Sequence, residues 1–112
     1  MEATVVVEDT AHPTTSHLGP TFVHTDEWYS FEASARAAGS HVLATLDEAT
    51  YEPGEELSMG DDHPIIWIAC PGEGRSFYSA LGHRADSYTD PAIARMLEAA
   101  LAWAGNRTQA CP

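Results

Sequence analysis

The residues best suited to proton transfer are a histidine after an alternating segment and an acidic, aromatic segment earlier in the chain. His83 lies where the alternating segment 75–81 gives way to a loop. The earlier segment places two carboxylates and a histidine within four residues and reads His24-Thr25-Asp26-Glu27-Trp28-Tyr29. Such groups serve acid–base catalysis, metal ligation or recognition of sugar hydroxyls, and aromatic faces stack on sugar rings. The spacing alone leaves these alternatives open, together with a polar turn whose aromatic residues simply pack.

The elements that carry these residues decide which of them can meet. If the earlier segment is extended, His24 and Asp26 share one face and Glu27 takes the other. His83 follows the carboxyl end of a strand, which in open α/β sheets is the edge where ligands bind. The alternative for His83 is a loop histidine that only bonds nearby backbone.

Two His-Pro pairs supply further candidates. Proline biases the residue before it towards extended backbone, so His12 and His63 each lie just outside an extended segment. The alternative role for both is anchoring of a loop through hydrogen bonds to backbone. No zinc-type spacing, phosphate-binding glycine loop or nucleophile elbow is present, so the sequence predicts no metal site and leaves the cofactor unknown. A metal site assembled from distant loops remains an alternative, and its members would be His24, Asp26, His63 and His83.

The pattern of apolar and turn residues predicts an α/β fold. A strand hairpin is expected at about 64–81, with an almost wholly apolar first strand and a Pro-Gly-Glu-Gly turn. An amphipathic helix is expected at about 91–104, because Asp90 suits the N-cap and Pro91 the first helical position. Its predicted buried stripe consists of Ile93, Met96, Leu97, Ala100, Leu101 and Ala104. Segment 47–62 carries seven acidic residues and is interpreted as a solvated loop.

Composition excludes several partners and compartments. Seventeen acidic residues against five basic ones give a net charge of −12, which argues against binding to nucleic acid or to an anionic membrane surface. No run approaches the ~20 apolar residues of a membrane helix, and the N-terminus lacks signal-peptide features. Cys70 lies in an apolar segment and is predicted to be a buried free thiol, with Cys111 in the tail. Together these features predict a cytoplasmic protein.

Four short motifs resemble those of the trehalose-utilisation (ThuA-like) family, whose fold is related to the class I glutamine amidotransferases. They occupy residues 25–29, 63–67, 74–78 and 81–83. The resemblance implies the C-terminal part of a flavodoxin-like, amidotransferase-like sheet. Residues 1–105 would form a partial domain whose N-terminal half is absent, and 106–112 a tail. It also implies roles in catalysis for His83 and Glu27, and in substrate binding for Asp26, Tyr29, His12 and His63.

Two functions follow from this resemblance. The first is a sugar-processing or sugar-binding domain for trehalose-type utilisation, with a small carbohydrate as ligand. The second is a non-catalytic or truncated remnant that serves as an interaction or assembly module. An incomplete sheet would leave strand edges unpaired, so a homo-oligomer or a partner that supplies the missing half is expected. The sequence leaves open whether the protein is an enzyme and which reaction it would catalyse.

Overall fold

A computed structural model of the chain describes residues 1–106 and contains one five-stranded sheet and one α-helix. The strands are β1 (Glu2–Val7), β2 (Thr21–Thr25), β3 (His41–Asp47), β4 (Pro64–Ala69) and β5 (Ser76–Ser79). The helix α1 spans Pro91–Ala104, and two 3₁₀ turns cover Glu48–Thr50 and Ala85–Thr89. These elements confirm the predicted α/β class, the hairpin near 64–81 and the helix at 91–104.

The sheet is antiparallel throughout, in the order β2-β1-β3-β4-β5. Successive residues of a strand face opposite sides, and residues 42–46 of β3 are all buried. Both faces of the sheet are therefore covered at its centre. The ligand-binding edge formed by the carboxyl ends of parallel strands does not exist here, so the argument that placed His83 at such an edge does not apply.

The helix begins and ends as its sequence predicts. The Asp90 carboxylate accepts a hydrogen bond from the Ala92 N–H at 2.9 Å, and Gly105 is the C-cap. The buried stripe shares Ile93, Met96 and Ala100 with the predicted one and adds Trp103, while the predicted Ala104 is exposed. Leu101 is 77% exposed, so its predicted place in the core is wrong. It follows Ala100 by about 100° of helical rotation, which turns it towards solvent.

Three further expectations concern Cys70, the C-terminal tail and membrane-spanning segments. Cys70 follows β4, is exposed and is disulfide-bonded, so the prediction of a buried free thiol is wrong. The prediction of a cytoplasmic protein, which rested partly on this thiol, loses that support. The predicted tail lies outside the described residues except for Asn106, as does the expectation for Cys111. Within residues 1–106, no helix combines the length and the apolar character that crossing a membrane requires.

Candidate functional site

A buried carboxylate at the end of β2 holds the site together. Asp26 is 1% exposed and accepts hydrogen bonds at both oxygens. Its Oδ1 receives the backbone N–H groups of Glu27 at 2.9 Å and Arg84 at 3.2 Å. Its Oδ2 receives the N–H of Gly82 at 2.7 Å and the hydroxyl of Ser87 at 2.9 Å. Asp26 therefore joins the segment after β2 to the loop between β5 and α1.

The protonation state of Asp26 follows from these contacts. Burial by itself raises the pKa of a carboxyl group, but the donors from Gly82, Glu27, Ser87 and Arg84 stabilise the ionised form. The net effect lowers the pKa of Asp26 to about 2. The side chain is consequently a fixed negative charge whose lone pairs are used within the protein. This placement suits it to hold backbone rather than to contact a ligand directly.

His24 completes this buried network. Its Nε2 lies 3.2 Å from Asp26 Oδ2 and 3.1 Å from the Ser87 hydroxyl, which confirms that His24 and Asp26 share a face. The trio contains the residue types of a serine hydrolase but not the arrangement. In a hydrolase triad the serine and the aspartate bind opposite nitrogens of the imidazole, whereas here both meet Nε2. Ser87 also donates to Asp26 and is 2% exposed, so it is a structural group and not a nucleophile.

The two predicted catalytic residues lie in contact at the surface. Glu27 Oε2 is 2.6 Å from His83 Nε2, and the Tyr29 hydroxyl is 2.8 Å from His83 Nδ1. The side chains of Glu27 and His83 are about half exposed, at 55% and 50%, and Tyr29 is 40% exposed. We call Glu27, His83 and Tyr29 the surface triad. A ligand can reach all three of its polar groups from solvent.

The electrostatics of the surface triad favour one direction of hydrogen bonding. Desolvation, and then the negative charges of Glu27 and Asp26, raise the pKa of the Tyr29 phenol, so it keeps its proton at neutral pH. The phenol can therefore donate to His83 Nδ1, whose lone pair must then be free to accept. The Glu27 carboxylate lies 2.6 Å from Nε2, and a negative charge so close favours a ring proton on that nitrogen.

The backbone around His83 is fixed from both sides. Asp26 binds the N–H groups of Gly82 and Arg84, the residues before and after His83. Gly82 has a φ of 107°, a conformation that side-chain-bearing residues rarely adopt. The same carboxylate also binds the N–H of Glu27. One buried group thus sets the positions of both predicted catalytic residues.

His63 lies behind the surface triad and not within it. It is fully buried, and its Nε2 lies 2.8 Å from the Tyr29 carbonyl oxygen, to which an Nε2–H can donate. Its Nδ1 lies 2.8 Å from Glu48 Oε2 and 3.3 Å from the Tyr51 hydroxyl. Glu48 in turn accepts from the Ser58 hydroxyl and the Met59 N–H, both at 2.6 Å. For His63 the resemblance implied substrate binding. The structure places it against the backbone of the site, at the Tyr29 carbonyl oxygen.

The structure does not bring His12 to the site. His12 is 5% exposed, its Nδ1 lies 2.7 Å from the Thr14 hydroxyl, and its ring packs edge-on against Trp103 on α1. Burial lowers the pKa of the imidazole, which favours the neutral form. Its contacts belong to the loop between β1 and β2 and to the helix, as the loop-anchoring alternative had proposed.

Aromatic packing holds the segment after Tyr29 against the hairpin. Trp67 on β4 lies opposite Tyr78 on β5, and their rings stack at 4.3 Å. Phe31 packs edge-on against Trp67 at 5.3 Å and against Tyr78 at 6.0 Å. These contacts join two of the sequence motifs, through Trp67 and Tyr78, to a residue that follows a third motif, Phe31. They limit how far Tyr29, two residues before Phe31, can move from His83.

A cavity of about 380 Å³ opens beside Glu27. It lies between the segment after β2 and the loop that follows the first 3₁₀ turn. Its walls are formed by Met1, Asp26, Glu27, Trp28, Ser30, Tyr51, Glu52, Pro53, Leu57 and Arg84. Glu27 is the member of the surface triad that also lines this cavity. A ligand that fills it would therefore lie next to the carboxylate that contacts His83.

Sequence reasoning missed several residues of this region. Ser87 gave no signal, because a lone loop serine is common, and Glu48 was counted among the solvated acidic residues of segment 47–62. Both turn out to bind groups far away in the chain. Within the described residues, 1–106, no three His, Cys, Asp or Glu side chains are grouped so as to hold a metal ion.

Comparison with known proteins identifies the family. The model of the ThuA family, described as trehalose utilisation, matches residues 1–104, which is nearly the whole chain. No curated protein and no protein of solved structure matches the chain with significance. The match covers the surface triad, the buried network of Asp26 and the cavity beside Glu27. The chain belongs to the ThuA family, with a role in trehalose utilisation.

Proposed function

We propose that the domain binds a carbohydrate at the surface triad and that His83, oriented by Glu27, exchanges a proton with a hydroxyl of that carbohydrate. The observation that carries this proposal is the half-exposed imidazole held between a carboxylate and a phenol. Such a histidine is oriented and accessible, and its Nδ1 can accept a proton from a ligand hydroxyl that takes the place of the Tyr29 phenol. The family's role in trehalose utilisation supports a sugar as the ligand.

The proposed chemistry assigns one task to each residue. His83 keeps its Nε2 proton, and the Glu27 carboxylate 2.6 Å away stabilises the imidazolium that forms when Nδ1 takes a proton from the sugar hydroxyl, which becomes an alkoxide until the proton returns. A sugar hydroxyl that replaces the Tyr29 phenol at Nδ1 would lie within hydrogen-bond distance of this base. Tyr29 can then donate to a neighbouring sugar oxygen. Asp26 takes part as a positioning residue, because its carboxylate is buried and already bonded.

Binding of trehalose, followed by NMR of labelled histidine and tyrosine side chains, tests the proposal. Trehalose should shift the signals of His83 and Tyr29 at one common affinity, and His83→Asn should weaken binding at least tenfold. The matched control is His41→Asn. His41 is an exposed histidine that lies 2.8 Å from Asp9, so it forms a similar pair outside the site. The proposal would be contradicted if wild type and His83→Asn bound trehalose equally well and the His83 signal of the wild type did not shift.

The larger assembly of the domain is a separate proposal. We propose that the sheet belongs to a larger amidotransferase-like, flavodoxin-like domain, of which residues 1–105 form one part; motif resemblance supports this. In the described sheet, β2 and β5 each have a neighbour on one side only. Exposed strand edges favour pairing with a second copy or another chain. Light scattering that finds only monomer across a wide concentration range would contradict self-assembly.

A further inference from the structure

The cavity beside Glu27 offers a ligand mostly apolar surface. Several of its polar lining groups already have partners in the protein. Asp26 binds backbone and Ser87, and the Ser30 hydroxyl donates to the Leu57 carbonyl oxygen. Arg84 donates from Nε and from a terminal nitrogen to Asp86, at 3.1 and 3.0 Å. The other lining residues are two glutamates, Glu27 and Glu52, and five with aromatic or aliphatic side chains, Met1, Trp28, Tyr51, Pro53 and Leu57.

Two exposed apolar residues line this cavity, Met1 and, on the loop after the first 3₁₀ turn, Leu57. The Leu57 side chain belongs to a loop rich in charged residues, yet it is 53% exposed and lines the cavity. Tyr51 and Pro53 are partly exposed beside it. Apolar side chains grouped around a concave surface, next to a few polar groups, are typical of ligand pockets. The volume of about 380 Å³ falls within the range of roughly 300–1,000 Å³ known for such pockets.

Glu27 connects this cavity to the proposed reaction. Its carboxylate lies 2.6 Å from His83 while the same residue forms one wall of the cavity. We infer that the cavity binds an apolar or aromatic group attached to the sugar, so that the site takes glycosides with an apolar aglycone. The inference rests on the proposed function, because the sugar itself is assigned to the surface triad.

Two glycosides that share one sugar test this inference. Methyl α-D-glucoside and phenyl α-D-glucoside present the same hydroxyls to His83 and differ only in the aglycone. Burial of the phenyl ring should make the phenyl glucoside bind about tenfold more tightly. Its binding should shift the NMR signals of both Tyr51 and His83. The methyl glucoside should shift His83 alone.

Leu57→Ser is the decisive variant, with Leu101→Ser as its control. Both leucines are exposed, but Leu101 lies on the solvent side of α1. Leu57→Ser should remove most of the phenyl advantage and leave methyl glucoside binding unchanged, whereas Leu101→Ser should alter neither. Thermal unfolding checks that both variants fold.

The outcomes separate the two proposals. Equal affinity for the two glucosides, with His83 still shifted, overturns the inference and leaves the proposed function standing. A phenyl advantage that survives Leu57→Ser also overturns it, since the ring would then bind elsewhere. If neither glucoside shifts His83, the proposed function fails, and the inference fails with it.

Discussion

Asp26→Asn perturbs the contact that holds Glu27 and His83 together. The substitution preserves the size of the side chain but replaces one acceptor oxygen with an amide that donates hydrogen bonds. Whichever way the amide turns, its NH₂ group faces backbone N–H groups, those of Glu27 and Arg84 or that of Gly82. Each such donor then loses its acceptor in a buried site. We expect a loss of about 3 kcal/mol in the free energy of unfolding at neutral pH.

The pH dependence of stability gives a second, independent value for the contribution of Asp26 to the free energy of unfolding. The pKa of Asp26 is lowered from 3.8 to about 2, which corresponds to roughly 2 kcal/mol of stability. Because the folded-state pKa is depressed, this contribution is present above about pH 4 and is lost as the pH falls towards 2. Asparagine does not titrate in this range. The difference in stability between wild type and Asp26→Asn should therefore shrink by about 2 kcal/mol across this window.

Urea unfolding of both proteins between pH 7 and pH 2 measures these quantities. Comparing the two proteins is necessary because the pKa values of Asp9, Glu48 and Asp62 are also lowered, so the wild type loses stability through several groups. The matched control is Asp86→Asn, since the Asp86 side chain is 64% exposed and pairs with Arg84 at the surface. Its effect should be within about 1 kcal/mol. A constant difference between wild type and Asp26→Asn from pH 7 to pH 2 would refute the assigned hydrogen-bond network.

Three further tests use substitutions of His63, Met96 and Tyr29, the first two with a comparison variant. His63→Leu should destabilise the protein by about 3 kcal/mol, because Glu48 and the Tyr29 carbonyl lose a buried partner, and His63→Gln should recover part of this in thermal unfolding. Met96→Ala should cost about 2–5 kcal/mol in urea unfolding, whereas the exposed Leu101→Ala should cost less than about 0.5 kcal/mol. Equal costs would contradict the orientation of α1. Tyr29→Phe should leave stability within about 0.5 kcal/mol of wild type but weaken the trehalose-dependent NMR shift of His83, and an unchanged shift would exclude the phenol from the site.

Elements with strong local signals were predictable from the sequence. Asp90 and Pro91 mark the start of α1 because an N-cap carboxylate and a proline at the first helical position act through nearest neighbours. The apolar run that became β4 and the glycine-rich turn after it define the hairpin in the same way. Local backbone preference is sufficient for such elements.

Features that depend on distant contacts were not predictable in this way. Leu101 and Trp103 are both apolar and close in sequence, yet only Trp103 meets His12 and the core. Glu48 looks like its acidic neighbours, but a buried histidine fifteen residues later binds it. The antiparallel order of the sheet also depends on which strands pair, and the strand pattern of each segment says nothing about its neighbour. In each case the deciding partner lies outside the local sequence window.

The contact between Glu27 and His83 was predictable from the sequence only in part. The motifs identified both residues, and the alternation of side chains placed Glu27 on the face opposite His24 and Asp26. No sequence pattern predicted the hydrogen bond that Asp26 accepts from the backbone N–H of Gly82, fifty-six residues away. Because the same carboxylate also binds the N–H of Glu27, the inward-facing aspartate determines where the outward-facing glutamate meets its histidine. The geometry of the surface triad therefore depends on a residue that need not touch the ligand, which is why substitution of Asp26 should affect the site as strongly as substitution within it.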